Sequence, residues 1–134
     1  MKLITIIFPL FFFGFSQSGL SQSRNFKSFT INDGLPANTI YSIYQDSKGY
    51  IWFASRQGVS RFNGYQFENF SVSDGLSCNE VFNFYEDYSG KLWFYTLNGK
   101  LSYFDNDQIF NAQNNPVIGK INAETMINGI FQDQ

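Results

Sequence analysis

Two carboxylates, Asp46 and Asp87, stand in phrases that nearly repeat: YQDSKGYIWF at 44–53 and YEDYSGKLWF at 85–94. Two acids held close can divide acid and base roles between them, so the duplication raises the question of a doubled catalytic centre. Other chemistry-bearing side chains are few. The 134 residues contain no histidine, which excludes His-based catalysis, a His metal ligand and a phospho-accepting His within this chain. The single cysteine, Cys78, cannot make an internal disulfide, and nothing basic near it in sequence would lower its pKa. It reads as a small buried filler beside a turn. Glu68, Glu80 and Glu124 are acids outside the repeat, of the kind a glycan-active enzyme would need, but no supporting constellation accompanies them.

The wider frame of the two phrases decides their meaning. Residues 29–58 and 70–99 pair at Phe29/Phe70, Asp33/Asp74, Gly34/Gly75, Leu35/Leu76, Asn38/Asn79 and Tyr44/Tyr85. Asp46/Asp87, Gly49/Gly90, Trp52/Trp93, Phe53/Phe94 and Gly58/Gly99 continue the series. A repeat of about forty residues is the length of a four-stranded propeller blade, and it is close to the HEAT and armadillo range as well. Local chemistry separates these. TIYSIYQ at 39–45 is β-branched, aromatic and alternating, and it stops at Asp46-Ser47-Lys48-Gly49. That is a strand entering a tight turn, in which Asp bonds the amides ahead of it and Gly takes a positive φ. A turn role explains the residue type, the spacing and the duplication of Asp46 and Asp87. Catalysis explains the residue type alone.

The strands expected in the first copy are 39–45, 50–55, 59–62 and 65–71, with Asn63-Gly64 the strongest hairpin marker. In the second they are 80–86, 91–96, 100–104 and 108–112, after a one-residue shift of register behind Gly99. The fold class is therefore all-β, two four-stranded antiparallel meanders. The loops INDGLPAN and VSDGLSCN lie between meanders, with Leu35 and Leu76 tucked beneath their turns. One meander with aromatics on both faces cannot bury them alone, whereas stacked blades can. Trp52 and Trp93 are read as the packing residues between blades. Aromatics make up 20% of the chain and charged residues 15%, with a formal net charge of −2. That balance favours β packing and carries no basic footprint for nucleic acid.

The opening MKLITIIFPLFFFGFSQSGLSQS has its own composition: Lys2, an apolar core from Leu3 to Phe15, then Ser16, Ser18, Gly19 and Ser21. The apolar run is shorter than the roughly twenty residues of a membrane span and matches the core of a secretory leader. An uncleaved anchor is the alternative. Residues 1–22 are thus expected to be a signal peptide and 23–112 two blades. At 113–134 an inter-blade connection, with a helical turn at NAETM, leads into the first strand of a third blade. INGIFQD at 127–133 overlays IYSIYQD at 40–46, so the chain is expected to be a fragment of a longer propeller.

Asp46, Gly49, Ile51 and Trp52, followed by Gly58, Val59, Arg61, Phe62 and Asn63, resemble the two-component regulator propeller repeat. The second copy keeps Asp87, Gly90, Leu92 and Trp93 but places Tyr103 at the basic position. The resemblance implies a periplasmic sensor propeller, from Bacteroidetes-like bacteria, of a histidine kinase anchored in the inner membrane. Its partners would be the remainder of its own propeller and a downstream output domain, with the membrane reached only through a downstream segment. A secreted binding or adhesion scaffold and a glycan-active propeller enzyme are the alternatives. Asp46, Gly49, Trp52, Gly58, Asp87, Gly90, Trp93 and Gly99 are assigned structural roles. No residue is assigned to catalysis, to a cofactor, to a metal or to the unknown ligand.

Overall fold

The computed structural model describes residues 26–121 and 129. The leader at 1–22, the turn at NAETM and the third-blade strand at 127–133 fall outside the described residues, apart from Gly129. Among the described residues eight strands form two separate antiparallel sheets, each a meander of four in chain order. The first sheet holds β1 (Ile40–Gln45), β2 (Ile51–Ser55), β3 (Gly58–Phe62) and β4 (Phe67–Phe70). The second holds β5 (Val81–Glu86), β6 (Leu92–Thr96), β7 (Ser102–Asp105) and β8 (Gln108–Asn111).

The first hairpin of each sheet closes as the repeat requires. Asp46 Oδ1 accepts from the amides of Lys48 at 3.0 Å and Tyr50 at 2.9 Å, and the Gly49 amide donates to the Asp46 carbonyl at 3.0 Å. Asp87 does the same for Ser89 and Lys91, at 2.9 and 3.1 Å. Gly49 and Gly90 take φ of 88° and 81°, the left-handed region that side chains resist. Gly58 is constrained further. At φ 120° a Cβ there would stand 2.2 Å from the Phe70 carbonyl oxygen of the neighbouring strand.

Some boundaries differ from expectation, each for a local reason. The fourth strand begins at Phe67 rather than residue 65, because Asn63 Oδ1 accepts from the amides of Tyr65 and Gln66. The seventh begins at Ser102 rather than 100, because the Lys100 amide donates to Asn98 and its carbonyl accepts from Thr96 and Ser77. The loops before the sheets contain short 3-10 turns, Ile31–Asp33 and Val72–Asp74. Thr30 and Asp33 form a reciprocal cap on the first, and Ser71 and Asp74 on the second. Asn69 Nδ2 ties the first loop to its sheet through the Gly34 carbonyl, and Asn111 Nδ2 ties the second through Gly75, both at 2.8 Å. Leu35 and Leu76 are buried beneath these loops as expected, whereas Cys78 is only half-buried.

The sheets stack face to face on one apolar layer. Trp52, Ala54 and Val59 from the first meet Val81, Phe84, Leu92, Phe94, Phe104 and Ile109 from the second, with Leu76 above them. Trp52 is fully buried, its ring 4.9 Å from Phe104, 6.0 Å from Phe94 and 5.7 Å from Phe70. The outer faces are halves of the same layer. On the first sheet Leu35, Phe53 and Phe62 cluster with Phe29, Ile40, Ile51 and Phe67. These are the repeat counterparts of Leu76, Phe94, Phe104, Phe70, Val81, Leu92 and Ile109. On the second, Trp93, Leu101 and Ile118 occupy the places of Trp52, Val59 and Leu76. Trp93 therefore packs on the far face, against Tyr103 at 4.7 Å, and is half-buried rather than sealed between two sheets.

Burial separates the two indoles energetically. Trp52→Ala is expected to lower the unfolding free energy by about 3–5 kcal/mol, the cost of deleting a sealed aromatic ring. Trp93→Ala should cost clearly less. Urea midpoints of the two variants measure this, and equal losses would contradict a shared layer centred on Trp52.

Candidate functional site

The strands β1 and β5 approach each other along the edge of the apolar layer, and their facing side chains are polar. The Tyr41 hydroxyl donates to Glu80 at 2.9 Å, and the Ser42 hydroxyl to Asn83 Oδ1 at 2.9 Å. Glu86 collects three donors from the first sheet: the Tyr44 hydroxyl at 3.1 Å, the Ser47 amide at 2.9 Å and the Ser47 hydroxyl at 2.5 Å. The seam runs from the start of each strand to its turn, because both strands carry a bulge at the same place, Ile40/Ser42 and Val81/Asn83. Bulges re-aim side chains, and here the Tyr41 and Phe82 rings meet at 5.1 Å.

The chemistry of this seam is acceptance of hydrogen bonds by carboxylates. The Tyr41 phenol is held above its ordinary pKa by its bond to Glu80, with burial adding to it. Burial is the first cause for Tyr44, followed by its bond to Glu86. Both phenols keep their protons at neutral pH, so they donate and position and do not act as bases.

The turn aspartates lie elsewhere and have a second partner. Asp46 Oδ2 accepts from the Trp52 indole at 2.8 Å, and Asp87 Oδ2 from the Trp93 indole at 2.9 Å. Each acid is thus a staple within its own sheet, closing a turn with one oxygen and orienting an indole with the other. Burial works to raise the Asp87 pKa, but the Ser89 hydroxyl, the Trp93 indole and the amides of Lys91 and Ser89 outweigh it. The carboxyl stays below its ordinary range. Asp and Trp six residues apart in both copies is the spacing that could have announced this bond.

Glu68 and Glu80 are also committed. Glu68 holds Arg61 at 2.6 Å on the β3–β4 pair, while Glu80 receives Tyr41. Glu124 lies outside the described residues. Arg61 was legible as a motif residue but not as a bridge. Its guanidinium reaches Asp107 of the second sheet at 2.8 Å and lies over the rings of Tyr50, at 4.7 Å, and Phe104, at 4.9 Å. Burial would lower its pKa, and the bonds to Asp107 and Glu68 more than restore it, so it stays charged. A cleft of about 420 Å³ opens under the second sheet between 72–77, 100–101 and 111–114. Its Asp74 is engaged by Ser71 and its Asn111 by Gly75. Among the described residues no three acidic or cysteine side chains converge as metal ligands would.

Residues 34–57 match the two-component regulator propeller family. Histidine kinase P4 of Formosa agariphila is 37% identical over 62 residues, which is 44% of this chain and 4% of that kinase. Among solved structures, the chain resembles the extracellular domain of a protein from B. thetaiotaomicron assigned as a hybrid two component system. The TM-score is 0.55 with 25% identity, over 66% of this chain and 13% of that one. The chain thus spans only a small part of either relative.

Acid should expose the aspartate staples. Asp33 and Asp74 are lowered by the backbone and hydroxyl of Thr30 and Ser71 respectively, and Asp87 as above. Groups whose native pKa is depressed stabilise fully above the unfolded value of about 3.9 and lose that contribution as pH falls through the native one. The thermal midpoint should stay flat from neutral pH to about 5 and then drop. In Asp87→Asn it should begin lower and fall less steeply in acid. An unchanged acid slope would show that Asp87 contributes nothing.

Proposed function

We propose, for a chain whose residues 34–57 match the two-component regulator propeller family, that it forms part of the periplasmic sensor propeller of a histidine kinase anchored in the inner membrane. The observation that carries the proposal is the repeat-family match at 34–57, which covers the first hairpin, β1 and β2. The chain also resembles a histidine kinase and the extracellular domain of a two component protein. The apolar run at 3–15 behind Lys2 supports export of this part of the chain.

The domain plan follows from the stacking. Residues 1–22 serve as the leader, 23–112 as two blades, and 113–134 as the crossing to a third and its first strand. Ile118, buried where Leu76 sits in the complete layer, supports the crossing. Neighbouring blades of the same propeller cover the Phe53 and Trp93 faces, because exposed aromatic faces of this kind are otherwise a liability. The phosphoryl chemistry belongs to an output domain elsewhere in the protein, since no histidine stands in these residues to accept a phosphoryl group. No helix among the described residues is long and apolar enough to cross a membrane. The sensor portion itself works by binding and packing rather than catalysis.

Alkaline phosphatase fused behind Gln134, active only after export, tests the placement. The fusion should be active in a Gram-negative host and lose activity when residues 3–15 are deleted. Membranes containing the protein from the complete reading frame should also incorporate acid-labile phosphate from ATP. An inactive but stable fusion would overturn the periplasmic reading, and membranes without kinase activity would overturn the output reading.

A further inference from the structure

We propose that Asn63-Gly64 is a self-modifying turn, in which the Asn63 side-chain amide converts without an enzyme to a carboxylate beside Arg61. The chain carries Asn-Gly also at 98–99 and 128–129; Asn128 lies outside the described residues, and the sites at 63 and 98 form a controlled pair. In both, the Asn side chain folds back onto the turn that follows. Asn63 Oδ1 accepts from the amides of Tyr65 at 2.9 Å and Gln66 at 3.0 Å. Asn98 Oδ1 accepts from the Lys100 amide at 3.0 Å and the Thr96 hydroxyl at 2.9 Å. Hydrogen bonds of this kind polarise the side-chain carbonyl, and a following glycine leaves its own nitrogen unshielded by a side chain.

The sites differ at the leaving group. Asn98 Nδ2 donates to the Ser77 carbonyl at 2.8 Å, and Gly99 is buried. Asn63 Nδ2 donates to no group among the described residues, and both Asn63 and Gly64 are exposed. Open space surrounds Gly64, with no atom within 4 Å of where a Cβ would stand. Water can therefore reach Asn63 on the side from which nitrogen must depart.

The reaction balances with water alone. Hydroxide removes the Gly64 amide proton, and the nitrogen attacks Cγ of Asn63. A ring C–N bond forms, the Cγ–Nδ2 bond breaks, and nitrogen leaves as ammonia with a proton from water. Water then opens the cyclic imide at one carbonyl to give aspartate, or at the other to give isoaspartate. Nothing is oxidised or reduced.

The products differ in consequence. Asn63 lines a cleft of about 150 Å³ with Tyr50, Arg61, Gln66 and Glu68, so either product adds negative charge at the Arg61–Glu68 pair. The second sheet already carries Asp105 at this repeat position, so the hairpin accommodates aspartate. Isoaspartate routes the main chain through an added carbon directly beside the Phe62–Phe67 register pair and should loosen that hairpin.

The test holds the full chain, folded and in urea, in warm, mildly alkaline buffer, followed by tryptic mass mapping. Cleavage after Arg61, Lys91 and Lys100 places Asn63 and Asn98 in different peptides. In the folded chain Asn63 should convert at least about tenfold faster than Asn98, the factor set by a local opening cost of about 1.4 kcal/mol. In urea the two rates should converge. Equal rates in the folded chain, or protection of Asn63 to the level of Asn98, would overturn the proposal.

Discussion

Everything in this structure depends on Trp52 being sealed between two sheets. A four-stranded meander with aromatic residues on both faces has no interior of its own, so neither sheet is a stable unit until its face is covered. Trp52 is the bulkiest fully buried side chain among the described residues, and Asp46 fixes its orientation through the indole hydrogen bond. The same aspartate closes the first hairpin. Turn geometry and packing between sheets are therefore coupled through one side chain, which is why Asp, Gly and Trp recur together.

The two outer faces are unlike halves of the same kind of layer. One presents the receiving half of the layer, with Phe53 and Phe62, and the other presents the indole half, with Trp93. Polar detail then distinguishes one interface from the next. Arg61 and Asp107 bridge the sheets, and both positions break the repeat: Tyr103 stands in place of Arg61 and Tyr65 in place of Asp107. On the far face Tyr103 stacks on Phe110 at 5.1 Å and receives the Asn115 amide at 2.9 Å. The cross-strand ion pair Arg61–Glu68 is thus exchanged for an aromatic pair at the same position of the second sheet.

Strand content, sheet order and the role of the turn aspartates were legible because they are local and repeated. The fit between Trp52 and the rings of Phe84, Phe94 and Phe104 was legible only as a class of contact, since the repeat fixes the residue but not its rotation. The short 3-10 turns were written in Thr30-x-x-Asp33 and Ser71-x-x-Asp74, a capping pattern masked by the stronger Asp-Gly turn beside it. Trp93 was harder: identical spacing to Trp52 did not reveal that it faces away from the first sheet. The polar seam of Tyr41, Tyr44 and Ser47 with Glu80 and Glu86 joins residues of unlike type about forty positions apart. No single-strand pattern encodes such a match.

The central claim is that two sheets share one layer centred on Trp52, and through-space nuclear Overhauser effects test it most directly. Cross-peaks are predicted from the Trp52 indole protons to the ring protons of Phe84, Phe94 and Phe104, with the indole N–H protected from exchange by Asp46. A folded chain whose Trp52 indole shows contacts only to its own sheet, with a rapidly exchanging N–H, would contradict the account.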